Sequence, residues 1–351
     1  MTDDSTMLSR EARGPAYGPG WTNAATLVDA SPAPPRRERL GRYELIAPLG
    51  AGGMGEVFLA ELCGPHAFRK RFAIKRLLPS LESDPVAVSR FAREAQLAAR
   101  LTHPAICQAF ELGYDAGAHY IVMEYLDGTT LGRVLTQLRG SGTALPLPVV
   151  ARIVDRVCAG LAAAHALRDD LGANLGLVHR DVSPSNIAIT RGGEVKLLDF
   201  GVAKVDQVRT ESGVLRGKFG YMSPEQIMNK PIDRRTDVFA VGVVLFEALT
   251  GRRLFGQPEP RAIAEAILRS DVPDVRALRP DLPASVGAVV ARALARRRGE
   301  RFASAEQLRR ALLAAIAPAT PAGPRALAKL AGWSADTRSG DAPTMVALAL
   351  P

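Results

Sequence analysis

The octapeptide HRDVSPSN, residues 179–186, sets a carboxylate and an amide five positions apart across a tight turn that contains Pro184. Asp181 can orient a hydroxyl or accept its proton, and Asn186 can bind a metal ion through its amide oxygen. A second carboxylate, Asp199, ends the apolar strand of LLDFG and is followed by Phe200 and a permissive glycine. Magnesium takes few carboxylates and fills its shell with phosphate oxygens and water, so Asp199 is a candidate ligand beside Asn186. The chemistry these groups suit is transfer of a phosphoryl group to a hydroxyl.

Two segments upstream supply phosphate-binding chemistry. LGAGGMGEVFLA holds Gly50, Gly52 and Gly55 at the spacing G-x-G-x-x-G. A dinucleotide fingerprint with this spacing opens a helix, whereas here Glu-Val-Phe-Leu-Ala follows, which alternates and favours a strand. Strand–loop–strand is the better reading, with backbone N–H groups able to approach phosphate oxygens where side chains are missing. FAIK, residues 72–75, carries Lys75 on the next strand but one from that loop's start. A lone strand lysine is ordinarily a solvated edge residue. To reach a nucleotide phosphate, its long side chain needs a carboxylate to hold it, and Glu94 in RFAREAQLAA is a suitable partner.

The elements that must position these groups change in texture along the chain. Residues 43–125 read as short alternating strands (YELIAPL, EVFLAEL, RFAIKRL, ICQAFEL, HYIVMEY), interrupted by DPVAVSRFAREAQLAARL, whose apolar residues recur at helical spacing. From Thr130 onward helical patterns dominate, including VVARIVDRVCAGLAAAHAL and SAEQLRRALLAAI. Residues 1–40 and 316–351 are rich in Pro, Gly and small residues and predict disorder, with at most a short helix near PRALAKLAG. The expected division is a disordered segment 1–40, a β-rich unit 41–125, an α-rich unit 126–315 and a flexible tail 316–351.

Composition excludes several classes. The chain has 351 residues and 47% hydrophobic content, enough for a sizeable core. Three cysteines, Cys63, Cys107 and Cys158, lack metal-ligand spacing and fit free thiols in a reducing cytoplasm. No apolar run reaches the ~18–20 residues of a membrane span, and the N-terminus MTDDSTMLSR lacks a signal's apolar region. A net charge of +9 raises nucleic acid as a partner, but the arginines are dispersed and aromatics make up only 5%. The dense run ARRRGERF reads as a solvated face.

Three further segments complete an ordered set: GYMSPE with Glu225, TDVFAVGVVLFE with Asp237, and ERF with Arg301. With these seven segments in this order, the chain resembles the bacterial eukaryotic-like serine/threonine protein kinases over about residues 43–315. The resemblance implies an α+β bilobal kinase fold: a small β-rich lobe with one helix, then a large helical lobe. It further implies a glycine loop of Leu49, Gly50, Ala51, Gly52, Gly53, Met54, Gly55, Glu56 and Val57 over the phosphates of ATP. Lys75, held by Glu94, would contact the α- and β-phosphates. Met123 would stand at the back of the adenine site and Glu124 to Leu126 would form the hinge. Val57 and Ala73 would roof the base, with Ala188 as its floor. Asp181 would serve the acceptor hydroxyl, while Asn186 and Asp199 would bind Mg²⁺. Glu225 would pair with Arg301, and Asp237 would hold the 179–186 backbone from behind. Thr210 and Ser212 are candidate phosphosites in the segment between Phe200 and Met222, and Arg180 could receive their phosphate.

The chain departs from the family in three places. Ser183 replaces the usual lysine, and Lys218 stands where a threonine is usual. The paired change suggests that hydroxyl and ammonium have exchanged loops, with Lys218 reaching toward Asp181; the alternative is that Lys218 faces solvent and Ser183 is a simple loss. ALRDDLGANLGLV, between His165 and His179, is about eight residues longer than usual and predicts a surface hairpin. The myxobacterial branch of these kinases would account for all three. The resulting expectation is a cytoplasmic kinase that uses ATP and Mg²⁺ to phosphorylate Ser/Thr of protein substrates and itself, possible as a homodimer acting in trans. A pseudokinase or ATP-binding scaffold is the rival, suggested by Ser183. GYMSPE argues against a small-molecule kinase.

Overall fold

In the computed structural model, residues 38–200 and 219–330 are described; Lys218, Thr210 and Ser212 lie outside them. The chain begins with antiparallel strands: β1 (Arg39–Leu40), β2 (Tyr43–Ala51), β3 (Gly55–Cys63) and β4 (Arg69–Leu77). Helix α1 (Pro85–Ala99) follows, its first turn closed by the Asp84 carboxylate, which accepts from the Val86 N–H, with Pro85 at the first helical position. Strands β5 (Ala109–Asp115) and β6 (Ala118–Glu124) complete a six-stranded sheet in the order β1-β2-β3-β4-β6-β5. Alternating side chains bury one face against Phe91 and Ala95 of α1, and the other around Tyr43, Phe72 and Tyr120.

The second part opens with β7 (Gly128–Thr130), α2 (Leu131–Gly140) and α3 (Leu147–His165). Strand β8 (Ile187–Thr190) pairs with β7 on one side and β9 (Val195–Leu197) on the other in a small antiparallel sheet. The remaining helices are α4 (Pro224–Ile227), α5 (Arg235–Thr250), α6 (Pro260–Arg269), α7 (Val275–Leu278), α8 (Ala284–Ala293), α9 (Ala305–Ile316) and α10 (Pro324–Leu330). The apolar stretch around Val238 is the buried core helix α5, and every residue from Thr236 to Leu249 is buried. Among the described residues no helix is long and apolar enough to cross a membrane. The fold is thus a β-rich lobe followed by a helical lobe.

Two expected boundaries move. Leu40 pairs with Tyr43 and is only 2% exposed, so the ordered sheet includes residues assigned to the leading segment. At the other end, the described part of the segment expected to be a flexible tail, residues 316–330, packs back on the core. The Ala322 N–H donates to the Pro148 carbonyl, and Leu327 of α10 is fully buried in the large hydrophobic cluster. Alanine and proline richness suggested disorder, but one leucine at the right height suffices to dock the short helix. Gly193 makes room for it: its φ is +75°, and an added Cβ would collide with the Pro324 backbone. Leu327→Ala should therefore cost about 2 kcal/mol or more, read as a lower Tm. A tail without tertiary contacts would give no change.

The insertion before His179 forms the surface hairpin its composition predicts. Arg168 bridges Asn174, the Asp169 carboxylate accepts from the Leu171 and Ala173 N–H groups, and Leu171 stands at 95% exposure.

Candidate active site

The glycines close the β2–β3 hairpin, with Ala51 opposite Glu56 and Gly50 opposite Val57. Gly52 donates its N–H to the Gly55 carbonyl at 2.8 Å, leaving Gly52, Gly53 and Met54 as the turn. A Cβ on Gly55 would stand 2.5 Å from the Arg76 carbonyl, so this close strand approach requires glycine. Glu56 is occupied by Arg76 at 3.0 Å.

Lys75 sits on β4 between β3 and β6 and is 4% exposed. Its ammonium meets the Glu94 carboxylate of α1 at 2.5 Å. Burial pushes the Lys75 pKa down, but the charge of Glu94, followed by Asp199 and Asp181, more than offsets it and leaves it raised. One ammonium thus feels three carboxylates drawn from α1, the 179–186 turn and the end of β9.

Asp181 and Asn186 face each other across a 3₁₀ turn, Pro184–Asn186. The Asn186 amide donates to the Asp181 carbonyl at 2.8 Å and to its carboxylate at 2.7 Å. The Leu198 N–H donates to the Asn186 carbonyl at 2.9 Å, which ties the turn to the residue before Asp199. Ser183 is buried and its hydroxyl shares a 2.9 Å hydrogen bond with that of Ser185.

This turn is strained and held from behind. Arg180 adopts φ +68° and Asp199 φ +33°, left-handed conformations that cost non-glycine residues about 1–3 kcal/mol each. The fully buried Asp237 carboxylate of α5 accepts from the His179 and Arg180 N–H groups, each at 2.9 Å, and meets His165 Nε2 at 2.8 Å. Gln226 donates its amide to the Arg180 carbonyl. His179 is buried, which lowers its pKa; its Nδ1 accepts from the Asp181 N–H, so Nε2 carries the proton toward the Leu198 carbonyl. Phe200 packs on the His179 ring at 4.5 Å and lies among Leu101, Ile106 and Ala164, fixing the backbone that presents Asp199. Farther out, Arg301 grips Glu225 with two hydrogen bonds of 2.7 and 2.8 Å.

Between the lobes an apolar slot is lined by Leu49, Ala73, Cys107, Glu124, Tyr125, Leu126 and Leu198. Val57, Met123 and Ala188 belong to the same buried cluster. Sequence reading missed Cys107 and Leu198. Its sequence context marks Cys107 only as a thiol, although it precedes β5 within a segment of strand character. Leu198 had a signal, its place immediately before Asp199. Burial pushes the Cys107 thiol well above its usual pKa. The three cysteines are free, as their spacing implied.

A divalent ion fits these donors in one way. Among the described residues no three His, Cys, Asp or Glu groups could hold a metal. The amide of Asn186 and the carboxylate of Asp199 therefore suit an ion that takes most of its shell from water and phosphate, as Mg²⁺ does.

Comparison with known proteins agrees with this geometry. Residues 43–311 match the protein kinase domain. Tyrosine-protein kinase MasK of Myxococcus xanthus is 43% identical over 280 residues, covering 79% of this chain and 43% of MasK. Serine/threonine-protein kinase PksC of Streptomyces coelicolor is 37% identical over 277 residues, covering 77% of this chain and 48% of PksC. The chain thus spans less than half the length of these curated relatives. The crystal structure of the Mycobacterium tuberculosis PknI kinase domain superposes with a TM-score of 0.59 at 29% identity, covering 80% of this chain and 98% of that one. With its ordered motifs, two-lobed fold and family match over most of its length, the chain belongs to the protein kinase domain family, in its bacterial eukaryotic-like branch.

Proposed function

We propose that this chain is an ATP- and Mg²⁺-dependent protein serine/threonine kinase that also phosphorylates itself. The observation that carries the reading is the buried Lys75–Glu94 pair, formed within the electrostatic reach of both Asp181 and Asp199. The slot between Leu49, Ala73 and Leu198 takes the adenine, with the Glu124 to Leu126 backbone along its edge. Gly50 to Gly55 cover the phosphates, and Lys75 grips the α- and β-phosphates. Asn186 and Asp199 would hold Mg²⁺, which when bound would supply charge neutralisation at the phosphate oxygens. Asp181 orients the acceptor hydroxyl and takes its proton as the hydroxyl oxygen bonds to the γ-phosphorus and the bond to the β-phosphate oxygen breaks, releasing ADP. Ser183 supplies no positive charge here. We assign that task to Lys218, which lies outside the described residues; Lys218→Ala should lower turnover at saturating ATP and peptide.

The test is magnesium-dependent transfer from γ-labelled ATP to the chain and to a protein acceptor, followed by phosphoamino-acid analysis. Phosphoserine and phosphothreonine are the expected products. Phosphotyrosine alone would overturn the acceptor assignment, a comparison made necessary by the name that MasK carries. Nucleotide binding without transfer would leave an ATP-binding scaffold.

A further inference from the structure

A second cavity, of about 490 Å³, shares Glu124 and Tyr125 with the adenine slot but is otherwise lined by different residues. Its size is ordinary for a ligand site. Three cations border it, Lys70, Arg71 and Lys196, against one carboxylate, Glu124. That carboxylate is already neutralised, because Lys196 bonds both its oxygens at 2.7 and 2.8 Å. On the neighbouring strand Glu61 is taken by Arg69. Lys70 and Arg71 have no carboxylate partner among the described residues.

The uncharged lining adds a donor and an aromatic wall. His103 accepts the Ala105 N–H at Nδ1, and burial lowers its pKa, so the neutral ring presents Nε2–H as a donor. The Lys70 ammonium stands 5.8 Å from the ring centre of Phe110, a side chain 51% exposed. Two uncompensated cations match the ≈ −1.5 to −2 charge of a phosphate monoester, whose oxygens accept several hydrogen bonds.

We propose that this cavity binds a phosphate monoester carried on an aromatic or apolar stem, with the phosphate between Lys70 and Arg71 and the stem against Phe110. Such an ester is either a phosphorylated protein side chain or a free small molecule. Calorimetry with phenyl phosphate, inorganic phosphate and a phosphotyrosine peptide tests it, run with Mg²⁺ and saturating non-hydrolysable ATP analogue so that the nucleotide cleft is filled. Phenyl phosphate should bind saturably, more tightly than inorganic phosphate. Lys70→Glu and Arg71→Glu should each weaken it roughly tenfold or more. Both glutamate variants alter exposed strand positions, and an unchanged Tm for each confirms that folding is intact. A peptide that binds tighter than phenyl phosphate assigns the site to a protein partner; equal affinity assigns it to a free ester. No saturable binding by phenyl phosphate or peptide, competition with the nucleotide analogue, or affinity unmoved by both glutamate variants overturns the proposal.

Discussion

Asp181→Asn should reduce phosphate transfer by about 10³-fold while leaving nucleotide binding and Tm near the wild-type values. General acid–base groups contribute about 10²–10⁴ in rate, and the proposed function gives this carboxylate the hydroxyl proton. The isosteric amide keeps the van der Waals shape and can still meet Asn186, which now donates to the Asp181 carboxylate at 2.7 Å. Folding is therefore spared, because Asp237 anchors the turn through backbone N–H groups that the substitution does not touch. Rate, ATP affinity by titration and Tm should be measured on one preparation. Retention of more than a tenth of the wild-type rate would remove Asp181 from the proton-accepting role. A matching collapse of Tm would mark the loss as structural.

Arg301→Ala should cost roughly 3–5 kcal/mol of stability, because it strands a buried carboxylate. The Arg301 side chain is 0% exposed and Glu225 7%, and among the described residues neither forms an ion pair with any other group. For a domain of this size the loss corresponds to a Tm decrease of about 10 °C. Burial pushes the Glu225 carboxyl up, but the Arg301 hydrogen bonds and charge outweigh burial and hold its pKa below the usual range. A depressed folded-state pKa stabilises fully above the unfolded value, about 4.3, and that contribution is lost as pH falls through the folded-state value. The Tm gap between wild type and Arg301→Ala should therefore narrow in acid, below about pH 4. A gap that stays constant from pH 7 to pH 3 would show that the cost lies in the cavity left by Arg301 rather than in the charge.

Local spacing made much of the site legible. The turn from Asp181 to Asn186 and the placement of Asp199 just beyond β9 were readable in residue type and order, since each depends on only a few neighbouring dihedrals. The strand that follows Gly55 was readable for the same reason. Spacing could not supply pairs such as Arg180 with Asp237 or Glu225 with Arg301, which are 57 and 76 residues apart. The family resemblance supplied those, and the structure brings both pairs together.

By itself, then, the sequence determined the order of lobes, the hairpin insertion and the identities of the groups that meet at the cleft. Hydrophobic period and turn chemistry are encoded within one or two turns of chain, so no partner had to be known. Tertiary structure alone decided that Cys107 and Leu198 line the slot between the lobes and that Leu327 docks α10 where composition suggested a loose tail. It also decided that Glu124 is neutralised by Lys196, while Lys70 and Arg71 have no carboxylate partner among the described residues beside the second cavity. Each depends on which side chains packing brings within a few ångströms, a three-dimensional outcome that no local pattern along the chain records.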